Sequence, residues 1–137
     1  MQVYKKILVT VDCSPVDEAI LKHVTALALQ NSAAVYLLHV VHSHTLDQNR
    51  VLRENSEACL SAHQEALRSK GIETHIIIRS GEPDLEILDE IDKEVYDLIA
   101  MATHGHGFLG DLLFGSVSDK LKHRTQVPLL LIKSEAS

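Results

Sequence analysis

Short apolar runs alternate with longer amphipathic stretches along the whole chain. Residues 6–12 are apolar and rich in β-branched side chains, the composition of a strand covered on both faces. Ser14, Pro15 and Asp17 then supply a cap, a proline at the first helical position and an acid in the first turn. The helix they predict places Ala19, Ile20, His23, Val24, Leu27 and Ala28 on one face. A second apolar run covers 34–41. A polar, His-rich loop at 42–48 leads into a second helix over 49–70, with Leu52, Cys59, Leu60, His63 and Leu67 near one face and Gly71 past its end. A third strand is predicted over 73–79, and a turn at Ser80 to Pro83 opens a third helix reaching about residue 95. A fourth strand over 97–103, a Gly-rich segment, a fourth helix from near Ser116 and a fifth strand over 128–133 complete the pattern.

This β-α-β-α-β-α-β-α-β order, with nearly continuous apolar strands, predicts an open five-stranded parallel doubly wound sheet. The architecture is Rossmann-like, with helices on both faces and right-handed crossovers. Ligands of such sheets bind outside the carboxyl ends of the strands, where the strand order reverses. The loops around Asp12, Val41 and Ser80, and the segment from Ala102 to Ser118, therefore hold the candidate chemistry.

Composition narrows the picture. The chain has 137 residues, 45% hydrophobic and 23% charged, which is ordinary globular usage and reads as a single domain over 1–137. A chain of this length buries roughly two-thirds of its unfolded surface, enough to fold without a disulfide or structural metal. The net charge of −6, from 13 basic and 19 acidic residues, argues against nucleic acid as the main partner and against a polybasic membrane contact. No apolar run approaches the roughly 20 residues that span a bilayer, so no membrane insertion is expected. The run after Lys6 ends at Asp12, too short for a signal-peptide core. Cys13 and Cys59 are the two cysteines; with no export signal they read as reduced thiols in a cytoplasmic protein.

Four of the six glycines fall between Ala102 and Ser118. Gly105, Gly107 and Gly110 match G-x-G-x-x-G, but in the last βαβ unit and with no acid on the following strand, so the dinucleotide fingerprint is not met. No Walker A loop is present. Gly105 directly follows a strand, where a backbone without a Cβ lets a ligand approach. Gly115 and Ser116 precede a helix, whose free N–H groups and dipole favour an anion. The same glycines also suit simple turns and a cap. A Ser116–His104–Asp12 set lacks the G-x-S-x-G elbow of a hydrolase. Among the nine histidines, His39, His42, His44, His104 and His106 share one rim of the sheet, without a compact metal-ligand spacing; no metal site is expected. Cys13 reads as an incidental free thiol near a helix start.

His104-Gly105, nine residues, then Gly115-Ser116-Val117, following Met101-Ala102-Thr103, resemble the nucleotide motif of the universal stress proteins. The strands at 5–12, 37–41, 97–101 and 127–133 are similar to those of that family. The family pattern is G-x-x-G-x9-G-[ST], and Ala102 stands where its first glycine would be. The resemblance implies a stress-response regulator that binds ATP or AMP, with Mg²⁺ able to accompany the phosphates. It would act through nucleotide-dependent shape or partner binding, with at most slow hydrolysis. Asp12 would accept a hydrogen bond from a ribose hydroxyl. Thr10, Val11 and Val40 would line the adenine pocket, Ala102 and Gly105 would lie against ribose and α-phosphate, Met101 would belong to the same nucleotide site, and His104 and His106 would hydrogen-bond or pair with phosphates. Gly115, Ser116, Val117 and Ser118 would hold the outer phosphates. The resemblance also implies a homodimer through the last strand, 127–133, and leaves open an unidentified protein or transporter partner. A dimeric interaction module of the same fold that binds no ATP is the alternative reading.

Overall fold

Strands β1 (Lys6–Thr10) and β2 (Ala34–Val41) alternate with helices α1 (Asp17–Asn31) and α2 (Leu46–Arg68) at the amino-terminal end of the chain. Strand β3 (Thr74–Ser80), helix α3 (Pro83–Lys93), and strands β4 (Leu98–Ala102) and β5 (Leu129–Ile132) follow. The structure, a computed structural model, describes residues 3–43, 45–102, 119–121, 123 and 126–133. All pairings are parallel, as the alternation predicts, and the sheet order is β3-β2-β1-β4-β5. Leu8 stands level with Tyr36 on one side and Ile99 on the other, so β1 is the central strand. The order reverses between β1 and β4, which puts the switch point at their carboxyl ends.

Alternation along each strand feeds two cores. Ile7 and Val9 of β1 and Val35 and Leu37 of β2 pack on one face with Ile20 and Val24 of α1 and Leu60 and Leu67 of α2. Leu8, Leu38, Val40 and Ile99 pack on the other with Ile87, Leu88 and Ile91 of α3 and with Leu121. Helices therefore cover both faces, which is why the strands are apolar throughout. Asp97 ties the amino ends of β1 and β4 together, its carboxylate accepting N–H bonds from Lys5 and Lys6 at 2.8 and 2.9 Å. Asn31 closes α1 in the same way, accepting from Val3 and Tyr4 and donating to the Leu27 carbonyl.

Several element ends differ from the sequence expectation. Helix α1 begins at Asp17 rather than Pro15, because residues 14–17 form a turn closed by the Asp17 N–H on the Ser14 carbonyl. His23, expected on the inner face, is exposed. Helix α2 begins at Leu46, not residue 49, because the Thr45 hydroxyl caps it by accepting from the Gln48 N–H at 3.0 Å. The expected start of a fourth helix near Ser116 lies outside the described residues; 119–121 and 123 are helical.

A polar cluster locks α3 to β3 and to Tyr96, just before β4. Arg79 donates to Glu86 at 2.9 Å, to Glu90 at 3.0 Å and to Asp89. The buried Tyr96 hydroxyl donates to the other Glu90 oxygen at 2.7 Å. Tyr96→Phe leaves that oxygen of a buried carboxylate short of a donor, so a loss of about 2 kcal/mol in urea unfolding is expected. Burial, then Glu90, pushes the Tyr96 ionisation far above its ordinary 10.0. A raised folded value means this contribution is complete below 10.0 and is lost as pH climbs beyond it. The variant should therefore lack that alkaline decline; a stability curve parallel to the wild type's would refute the assignment.

Candidate functional site

The loop after β1 is shaped by one buried side chain. Asp17, 2% exposed, turns back from the first turn of α1. One of its carboxylate oxygens accepts the Asp12 N–H at 2.9 Å; the other accepts those of Cys13 at 2.7 Å and Ser14 at 3.3 Å. This nest of donors holds Cys13 in the left-handed region, at φ 59°. Burial raises the Asp17 pKa above its ordinary 3.8, against the opposing pull of the backbone donors and of His63, whose Nε2 lies 3.9 Å away. With its backbone so fixed, Asp12 sits at the carboxyl end of the central strand, where its carboxylate accepts from the Ser14 hydroxyl at 2.5 Å.

A cavity of about 350 Å³ opens beside it. Asp12 and Cys13 form one wall, and His39, Val40, Val41 and His42 contribute from the end of β2. Leu52, Asn55, Ser56 and Cys59 of α2 close the third side. His39 Nδ1 lies 2.7 Å from the Val11 carbonyl, which can only accept. Nδ1 is therefore the protonated nitrogen, and a neutral His39 keeps Nε2 as an acceptor. Val40, Val41 and Leu52 make part of the lining apolar, and Asp12, His39, His42, Asn55 and Ser56 add polar groups, a make-up that suits a small molecule.

The structure sorts the candidates from the sequence. Asp12 and Val40 line the cavity, although the Val40 side chain itself is in the core. Thr10 and Val11 are buried at the end of β1 and are not among the residues that line it. Met101 is buried, and Ala102 is half-buried at the carboxyl end of β4, across the switch point. His104, Gly105, His106, Gly115, Ser116, Val117 and Ser118 lie outside the described residues.

The expectation of two free, reduced thiols is corrected. Cys13 and Cys59 are joined as a disulfide, their Cα atoms 6.1 Å apart. The crossover from β2 through α2 lays residue 59 over the loop at residue 13, a proximity created by tertiary structure alone. One oxygen of Asp17 lies within 4.8 Å of both sulfurs. Asn55 and Ser56 were not among the sequence candidates. They share the inner stripe of α2 with Leu52 and Cys59 at helical spacing, and that stripe was the available signal.

An open parallel α/β domain with a cavity at the carboxyl ends of β1 and β2 defines the class. The sequence model of the universal stress protein family matches residues 3–133, and the chain belongs to that family. Universal stress protein MJ0577 from Methanocaldococcus jannaschii is 27% identical, over 98% of this chain and 98% of that protein. A solved structure of MJ0577 superposes with a TM-score of 0.79 at 31% identity, covering 98% of this chain and 99% of the other. A universal stress protein from Archaeoglobus fulgidus, solved in complex with dAMP, gives a TM-score of 0.67 at 25% identity over 96% and 100%. No helix among the described residues is long and apolar enough to cross a membrane.

Proposed function

We propose that this chain binds an adenine nucleotide, ATP or AMP, in the cavity between the β1 loop, the end of β2 and α2. The observation that carries the reading is the Asp12 carboxylate, fixed at the rim of that cavity beside the switch point. A carboxylate there suits ribose hydroxyls, its strongest neutral donors. His39 Nε2 supplies an acceptor for an exocyclic amine, and the apolar strand ends suit a flat base. The dAMP held by the Archaeoglobus fulgidus relative supports the ligand class.

From Ala102 onward, the glycine-containing segment with Gly105, Gly115 and Ser116 would take the phosphates, with Mg²⁺ accompanying ATP. The protein would act in the cytoplasm as a stress-response regulator, through nucleotide-dependent shape or partner choice rather than turnover. The test is direct. Protein purified without added ligand is denatured in acid and the supernatant analysed by chromatography with mass detection, followed by calorimetric titration with ATP and AMP. Near-stoichiometric nucleotide, or saturable heat with ATP, is the expected result. An empty supernatant together with no heat up to millimolar ATP would refute the reading.

The second reading, a dimeric interaction module that binds no ATP, draws on β5. This strand is an edge of the sheet, and Leu129 and Leu130 are half-buried while Leu131 is 37% exposed. An apolar edge strand favours pairing with a second copy through 127–133. In either reading a homodimer is expected by light scattering. Only the second leaves the melting temperature unmoved by nucleotide.

A further inference from the structure

We infer that Cys13 and Cys59 form a reversible dithiol–disulfide site in the wall of the cavity, and that its oxidised form holds the first half of α2 in place for the nucleotide. The coupling rests on the nucleotide reading above; the thiol chemistry does not.

The two halves of α2 are anchored very differently. In the second half Leu60 and Leu67 are buried in the core. Gln64 and Arg68 both donate to the Thr74 carbonyl, at 2.9 and 3.0 Å. In the first half no residue from 46 to 55 is buried, and Leu46 is 91% exposed. Half-buried Leu52 is its one inward apolar side chain among the described residues, and the hydrogen bonds that hold it are few: Asn49 donates to Ser43 and Ser80 at 3.1 and 3.3 Å, and Arg53 donates to Ser80 at 3.2 Å. The two contacts to Ser80 are solvent-exposed, and such contacts are worth little each. Cys59 stands at the junction, one turn beyond Asn55 and Ser56 in the cavity wall.

The other end of the bond is rigid without it. Asp17 fixes the backbone of Cys13 through the N–H groups of residues 12–14. Cleavage therefore frees the helix rather than the loop. The oxidised pair pre-organises one wall of the site, and ordering that wall on binding costs less when it is already ordered.

Reduction needs a dithiol. Its thiolate attacks one sulfur of the Cys13–Cys59 bond, forming a mixed disulfide and releasing the other cysteine. Its second thiol then displaces the remaining cysteine. Two electrons and two protons end on Cys13 and Cys59, and the dithiol leaves as a disulfide. The reverse exchange with an oxidised dithiol restores the bond.

The test uses the full chain in reduced and in oxidised dithiothreitol. Alkylation and mass spectrometry should find two labels in the first and none in the second. Amide exchange over residues 46–55 should speed up by about tenfold on reduction while 60–68 stay unchanged. ATP affinity should fall by about fivefold or more on reduction. Cys59→Ser should give the reduced exchange pattern and the weaker affinity in both buffers. Labelling that does not change between buffers, or exchange over 46–55 that is equal in both, overturns the site. Equal ATP affinity in the two states overturns the coupling. Absence of ATP binding in both states removes the nucleotide reading and the coupling with it, and the labelling and exchange measurements still decide the thiol site.

Discussion

Replacing Asp17 by alanine is expected to cost the fold about 3 kcal/mol, a substantial share of the 5–15 kcal/mol that a domain of this kind has in total. The carboxylate is the acceptor for three consecutive backbone N–H groups, those of Asp12, Cys13 and Ser14. Removing it leaves these donors in a half-buried loop with no acceptor provided, and it leaves a hole where a buried side chain stood. Water can reach some of the donors, which keeps the loss below the sum of three separate bonds. Asparagine does not rescue the site, because its one carbonyl oxygen cannot serve both sides of the nest and its amide turns N–H against N–H. Urea unfolding is the measurement, and a shift under 1 kcal/mol, about the value of a single exposed cap, would show that the loop does not depend on this residue.

The pH dependence gives a second readout of the same side chain. Burial holds the Asp17 pKa above 3.8 in the folded protein. A raised folded value means the native state binds the proton more tightly than the unfolded chain does, so stability falls as pH rises through the interval between the two. The contribution of Asp17 is thus complete below 3.8 and partly lost once the buried carboxyl ionises. The stability gap between wild type and Asp17→Ala is therefore expected to narrow from acidic to neutral pH. A gap that widens would mean that the backbone donors and His63 outweigh burial.

How much of this was legible in the sequence depended on the range of the interactions involved. Strand β2 runs over 34–41 as expected, because a β-branched apolar run between two helix-covered faces has little else to do. The early start of α2 was written in a local signal, Thr45 followed three residues later by Gln48, which the polar character of the loop concealed. At α1 the local signal misled. Ser14 and Pro15 have the pattern of a helix start, yet the carboxylate of Asp17 reaches back over the loop and the helix begins only at Asp17. The disulfide had no local signature at all. Its partners are 46 residues apart and meet only because α2 crosses the β1 loop on its way to β3. Asn55 and Ser56 were hidden for a related reason. A polar pair on the inward stripe of a helix reads as a break in the core pattern, and only the sheet topology shows a cavity there.

Asp12 lines the cavity, and its replacement by alanine is expected to weaken ATP binding by about tenfold or more, the worth of a charge-assisted hydrogen bond at 1.4 kcal/mol per decade. Loss of affinity alone would not identify the contact, since the Asp12 carboxylate also accepts from Ser14 and its removal can disturb the loop. The sugar provides the control. Wild-type protein should prefer ATP over 2′,3′-dideoxy-ATP, because only ATP carries the hydroxyls that a carboxylate recognises. In Asp12→Ala that preference should vanish while the residual affinity for the dideoxy compound stays near the wild-type value. The double difference isolates the pairwise term, because any general disturbance of the loop affects both ligands alike. Equal discrimination in the two proteins would take Asp12 out of the ribose contact. The Asp17 nest must survive for the comparison to be clean, and it should, since Asp17 is bound by the backbone N–H of residue 12 and not by its side chain.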